Sequence, residues 1–183
     1  MSRALVERAQ GGDRDAYEQL ARGAARRLFL VASRILRDTD AAEDAVQQTL
    51  VAIWRDLPSL RDPDRFDAWT YRLVVRHSRS EGRRHRRMGV QIVDLSDEIA
   101  AARDEIGEIA TRDQLDRAFD ALSVDHRTVV VLHHLAGLAL GEIAEILDLP
   151  YGTVGSRLHH AMRAMRATID ASERAGARGK QPA

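Results

Sequence analysis

The chain has 183 residues, with 28 basic and 28 acidic side chains and no cysteine, so it is formally neutral and holds neither disulfides nor thiolate metal sites. Hydrophobic residues make up 44% and aromatics only 4%, and no segment alternates apolar and polar positions as a strand would, which points to an all-helical chain. No apolar run reaches the roughly 18 residues of a membrane span, and MSRALVERAQ lacks a signal-peptide core; a cytoplasmic protein without membrane insertion is expected.

In chain order, the first element is an amphipathic pattern from Asp15 to Arg37, with Tyr17, Leu20, Ala24, Leu28, Val31 and Ile35 at helical spacing. It is one long helix or two broken near Gly23. A second helix starts at Asp40, read as N-cap with Glu43 three residues on, and repeats Val46, Leu50, Ile53 and Leu57 on one face before Pro58 stops it. LPSLRDPD is a loop, after which Asp64 caps a third helix from about Arg65. These helices form an N-terminal domain over 1–87. Residues 88–111 have weak periodicity and many acids and are read as a flexible linker. A C-terminal domain of four helices then spans 112–170, and the small, polar stretch 171–183 is expected to be a disordered tail.

Charge is segregated along this order. Between Tyr71 and Val90 stand seven arginines (72, 76, 79, 83, 84, 86 and 87) against the single acid Glu81. From Asp94 to Asp125 ten acids face only Arg103, Arg112 and Arg117. From Tyr151 to Ile169 no acid occurs at all. An acidic run alone is most simply a solvated face, but two basic blocks, each beside a structured helix, make a polyanion the leading partner.

The second basic block belongs to a short helix, a tight turn and a longer helix over residues 140 to 169, the layout of a helix-turn-helix DNA reader. Ile143, Ala144 and Leu147 give the first helix an apolar face, continued by Val154, Leu158, Met162, Met165 and Ile169 on the second. The opposite face offers Thr153, Ser156, Arg157, His160 and Arg163, with His159 beside them, to a phosphate-lined major groove. In the first block, Phe66, Trp69 and Tyr71 interleave with Arg72, Arg76 and Arg79; rings among guanidinium groups can hold unpaired bases, each stacked base contributing about 1–3 kcal/mol. Phe66 and Leu73 are expected in the core. For Trp69 and Tyr71, core packing and base stacking stay open on the residues alone.

Three stretches together resemble the bacterial RNA polymerase sigma factors of the extracytoplasmic-function type. AAEDAVQQTLVAIWRDL (41–57) is similar to the family's polymerase-binding helix, DRFDAWTYRLVVR (64–76) to the helix that opens the minus-ten element, and residues 122–167 to the domain that reads the minus-thirty-five element. The resemblance spans roughly residues 15 to 169. It implies that Asp44, Gln47 and Trp54 bind core RNA polymerase, and that Trp69, Tyr71, Arg72, Arg76, Arg79, Arg83 and Arg84 meet the melting strand. Thr153, Ser156, Arg157, His159, His160 and Arg163 would contact minus-thirty-five DNA. It further implies promoter DNA and core RNA polymerase as partners, an anti-sigma protein as an additional one, and an acidic linker that threads toward the RNA exit path. Gly155 stands where many relatives carry Lys or Arg, and Arg76 where relatives often have Asn.

The adjacent pairs His133–His134 and His159–His160 point to different helix faces, and no HExxH spacing occurs, so neither metal nor cofactor is expected. There is no Gly-rich phosphate loop or nucleophile elbow, and an enzyme is not expected. The rival reading is a dimeric helix-turn-helix regulator that occupies an operator without polymerase docking.

Overall fold

The computed structural model describes residues 1–88 and 112–178, with side chains described at 1–84 and 112–174. Among the described residues every regular element is helical, as the composition suggested. The chain divides into two compact units, Met1–Leu95 with Glu145–Asp148, and Ser96–Ala144 with Leu149–Ala183. No described helix is long and apolar enough to cross a membrane. The acidic stretch 88–111 lies, past Met88 and before Arg112, outside the described residues.

Among its described residues the first unit has the α-helices α1 (Arg3–Gln10), α2 (Arg14–Leu36), α3 (Thr39–Asp56) and α4 (Phe66–Met88). The periodicity did not announce α1, which is short and buries only Val6 and Ala9, against α2. Gln10 at its end donates its amide to the carbonyls of Leu57 (3.1 Å) and Leu60 (2.7 Å), tying α1 to the proline-bearing connection before α4. Asp13 caps α2 by accepting from the Ala16 N–H at 3.0 Å. That helix runs unbroken through Gly23 because Leu20, Ala24, Leu28 and Val31 bury a continuous stripe on both sides of it, which outweighs a glycine cost of about 1 kcal/mol.

Two starts differ from expectation. The cap of α3 is Asp38, whose carboxylate accepts from Ala41 N–H at 2.8 Å, and Asp40 lies inside the first turn, where its charge meets the positive end of the helix. Before α4, Asp62 rather than Asp64 is the capping side chain; it accepts from Asp64 N–H at 3.1 Å and opens a single 3₁₀ turn, Pro63–Arg65, ahead of Phe66. Both shifts reflect the same geometry: a cap must have extended backbone and stand ahead of the N–H groups it satisfies.

In the second unit, α5 (Arg112–Asp120) and α6 (Val124–Val130) pack on the long α8 (Tyr151–Arg178); α7 (Leu140–Leu147) precedes α8 in the chain, and its residues up to Ala144 belong to this unit. Ser123 caps α6, and a π turn over Val131–Leu135 follows. Gly137 at φ 70° and Asp148 at φ 54° then supply the left-handed residues that let the chain reverse on each side of α7. Val154, Ala161, Met162, Met165 and Ile169 are buried, whereas Leu158 is half-exposed. The end of α8 corrects the expected tail: residues 171–178 stay helical. Their composition, ASERAGAR, is rich in helix formers, Ser172 donates to the Thr168 carbonyl at 3.0 Å and Arg174 to the Asp170 carbonyl at 3.0 Å. Residues 179–183 lie outside the described ones.

The contact between α3 and α4 ends in a polar seam. Gln48 of α3 donates its amide to Glu81 Oε1 at 2.6 Å, and its carbonyl oxygen stands 3.1 Å from His77 Nδ1, which donates to it. Burial pushes the His77 imidazole below its ordinary value, and Arg76 and Arg55 act in the same direction against Glu81. A second proton on His77 would sit on Nε2, which is buried without a partner. Because the folded chain binds this proton less readily than the unfolded one, stability from this group is complete above histidine's ordinary range and is lost as pH falls through it. Urea unfolding at about pH 7.5 and about pH 5.5 should show a steeper acid-side loss for the natural chain than for His77→Gln.

Candidate polymerase and nucleic-acid interfaces

Three surfaces carry the expected site residues. On α3, Asp44 and Gln47 are solvent-exposed, and the same line of the helix continues through Val51, 60% exposed, and Trp54, 51% exposed. The positions follow at i, i+3, i+7 and i+10, which is one helix face. Tyr17 of α2 supports the tryptophan edge-on, ring centroids 4.6 Å apart at 72°, and its hydroxyl donates to the Leu50 carbonyl at 2.9 Å. The face is therefore a polar end followed by an apolar end whose aromatic is held in place from beneath. Val51 was missed in the sequence, although its spacing from Asp44 and Gln47 already put it outside the core stripe of Val46, Leu50 and Ile53.

On α4, the structure separates residues that the sequence left together. Arg72, Arg76, Arg83 and Arg84 are exposed, and Trp69 and Arg79 are half-buried. Arg72, Arg76, Arg79 and Arg83 follow at i, i+4, i+7 and i+11, a straight line along one side. Tyr71 is the exception. It is only 5% exposed, with the Arg27 guanidinium carbon 5.1 Å from its ring centroid and Arg27 bonded in turn to Asp67 at 2.7 Å. Its position one residue before Arg72 turns it about 100° away from the arginine line and into the unit, so the expected base contact by Tyr71 is not placed on the surface. Trp69 keeps a partly open ring, packed on Phe66 at 6.1 Å between centroids. Arg84 is not wholly free: its guanidinium lies 3.5 Å from Glu81.

On α8, Ser156, His159, His160 and Arg163 are exposed, and Thr153 is half-buried with its carbonyl accepting from the Ser156 hydroxyl at 3.0 Å. Arg157 is half-buried and paired with Asp125 of α6 at 3.1 Å, so it ties two helices of its unit together. Tyr151, 63% exposed at the first position of α8, was not singled out in the sequence; an aromatic beside Pro150 reads as a loop residue until the helix is seen to begin there. Among the described residues nothing lies within 4 Å of where a Cβ would stand on Gly155, so no packing among them requires glycine at that place.

A helix-turn-helix unit and a separate helical unit with an outward line of arginines define the class: a DNA-binding transcription factor built from two modules. Residues 16–88 match the Sigma-70 region 2 family and residues 112–165 match Sigma-70, region 4. The ECF RNA polymerase sigma-E factor of Escherichia coli K12 is 31% identical over 173 residues, covering 88% of this chain and 90% of the relative. The RNA polymerase sigma-H factor of Pseudomonas aeruginosa is 30% identical over 178 residues, with the same coverage of both chains. The solved structure of CnrH in complex with the cytosolic domain of CnrY superposes with a TM-score of 0.67 at 27% identity, covering 92% of this chain and 97% of that one.

The chain belongs to the ECF RNA polymerase sigma factors, the polymerase-binding factors that direct promoter-specific initiation. A dimeric regulator acting through α8 alone is not favoured, since the region 2 match, residues 16–88, takes in the arginine-bearing helix α4. Glycine costs about 0.5–1 kcal/mol relative to alanine inside a helix, and Gly155 has open space around it. Gly155→Ala is therefore expected to raise the unfolding free energy of the C-terminal unit by about that amount, measured by urea denaturation.

Proposed function

We propose that the face of α3 formed by Asp44, Gln47, Val51 and Trp54 docks on core RNA polymerase, that α4 holds the opened minus-ten strand, and that α8 reads the minus-thirty-five element. The observation that carries this reading is the exposed valine and tryptophan in line with two polar side chains on one helix, beside a helix whose outer line is arginine. Large apolar side chains left in water beside polar ones are what a partner protein covers, with aromatics contributing most of the contact energy. Guanidinium groups in line neutralise a phosphate backbone without regard to sequence, and Trp69 adds a ring on which an unpaired base can stack.

On α8, Ser156, His159, His160 and Arg163 face the duplex, with Arg157 supporting the same face from its pair with Asp125. The factor acts as an initiation subunit rather than as a catalyst, in the cytoplasm where its polymerase works. An anti-sigma protein is its further partner, a reading supported by the related CnrH, which is solved in complex with the cytosolic domain of CnrY. The domain limits 1–87 and 112–170 describe the docking-and-opening module and the duplex reader, joined by the acidic stretch 88–111.

Run-off transcription with core polymerase on a genomic fragment library tests the function and returns the promoter. On that promoter the two faces of the first unit should separate. Arg76→Ala with Arg79→Ala is expected to reduce strand opening, read by permanganate reactivity of minus-ten thymines, by about tenfold or more while affinity for core polymerase stays within about twofold. Val51→Ala with Trp54→Ala should lower the affinity for core polymerase itself, by about tenfold or more. Equal loss of both properties in both variants would refute the division.

A further inference from the structure

Glu81 is the single acid in the arginine block, and the expected place for such a carboxylate is the surface, paired with its neighbours. It is instead 4% exposed, bonded to the Gln48 amide at 2.6 Å, with the Arg84 guanidinium 3.5 Å from it. The inward stripe of α4 explains the position. Phe66, Thr70, Leu73 and Val74 are buried, and the same face continues into His77, Ser78 and Glu81, so an apolar seam turns polar over its last turns.

Apolar contact is non-directional and tolerates some rotation of one helix on another, whereas a hydrogen bond holds its donor and acceptor to a narrow range of distance and angle. A bond to an ionised carboxylate is the stronger kind. Glu81 lies nine residues beyond Arg72, two and a half turns at 3.6 residues per turn, and therefore on the opposite side of α4 from the line Arg72, Arg76, Arg79, Arg83. Whatever fixes Glu81 fixes the direction of that line. On α3, Gln48 directly follows Gln47, so consecutive side chains face the proposed polymerase surface and the seam.

We propose that Gln48 is a positioning residue for strand opening, its amide clamped between Glu81 and His77 so that the arginine line of α4 is aimed from the docking helix α3. The inference rests on α3 as the docking helix and α4 as the opening helix. One amide engages a carboxylate and an imidazole together, because its N–H₂ donates to Glu81 Oε1 while its carbonyl accepts from His77 Nδ1; Glu81 Oε2 and His77 Nε2 are buried without a hydrogen-bond partner, so the amide is the hydrogen-bonded link between them. In a buried polar cluster the bonds that are made favour one arrangement, and reversing one donor or acceptor is costly.

The clamp can be inverted without changing its size. In Gln48→Glu two carboxylates meet where a hydrogen bond of 2.6 Å stood. In Glu81→Gln the new carbonyl still accepts from Gln48. In the double variant, the position 81 amide donates to the position 48 carboxylate, which also accepts from His77.

The experiment uses the full chain with core polymerase on the promoter returned by run-off transcription. Strand opening is read by permanganate and core affinity by competition with the natural chain. Q48E is expected to open about tenfold more slowly with core affinity within about twofold, E81Q to stay within about twofold in both, and Q48E/E81Q to recover to within about twofold of the natural chain. Gln48→Met, of similar length and without charge, should show the same opening defect, and it replaces Q48E in the comparison if that variant does not fold. Normal opening in both Q48E and Q48M overturns the proposal, as does a double variant no better than Q48E or a loss of core affinity equal to the loss of opening. Normal opening by the Arg76→Ala, Arg79→Ala variant would instead overturn the reading of α4 on which the proposal stands.

Discussion

Helix α4 must satisfy two opposed solvents at once, and the structure of the first unit follows from how it does so. Its inner side is packed on α2 and α3 through Phe66, Leu73 and Val74, and its outer side carries guanidinium groups that repel one another and need water or an anion. A helix is the element that keeps such sides apart, since its period places residues seven apart on the same face and residues nine apart on opposite ones. The single acid in the block, Glu81, lies on the inner side, so α4 itself places no carboxylate between the arginines of its outer line.

The same constraint shapes the second unit by other means. In α8, the inner residues Val154, Ala161, Met165 and Ile169 are buried, and the outer side from Tyr151 to Ile169 has no acid. One basic residue, Arg157, is held by Asp125 from α6 rather than left outward. Pairing half-buried charges within the unit costs desolvation and returns geometric definition, and here it fixes the helix that faces the proposed duplex against its neighbour. His159, His160 and Arg163 further along α8 are exposed.

Much of this was legible because long amphipathic helices announce themselves. The stripe of Leu20, Ala24, Leu28, Val31 and Ile35 gave α2, and Val154, Met162, Met165 and Ile169 gave the core side of α8. The family resemblance rested on three stretches in the right order, and the region 2 and region 4 matches cover the same parts of the chain. What was not legible was local competition. Two aspartates two residues apart can each cap α3, and only the backbone decides that Asp38 does. A short helix such as α1, with two buried residues, has too little pattern to be seen alone. Residues 171–178 read as a tail because they lack an apolar stripe, yet their helix propensity lets α8 continue through them.

The amino-acid order by itself determined the helical class, the two basic helices and the family, because periodicity, composition and motif order are properties of the chain. Tertiary structure alone decided which aromatic is available: Tyr71 is turned inward against Arg27, Trp69 stays half-open, and Trp54 stands out in water on a ring supplied by Tyr17. It also decided that Glu81 belongs to the seam with Gln48 and His77 and not to the surface. The physical reason is the same in each case. A side chain's face follows from the period of its own helix, but what lies on that face comes from another helix, many residues away, that only the fold brings there.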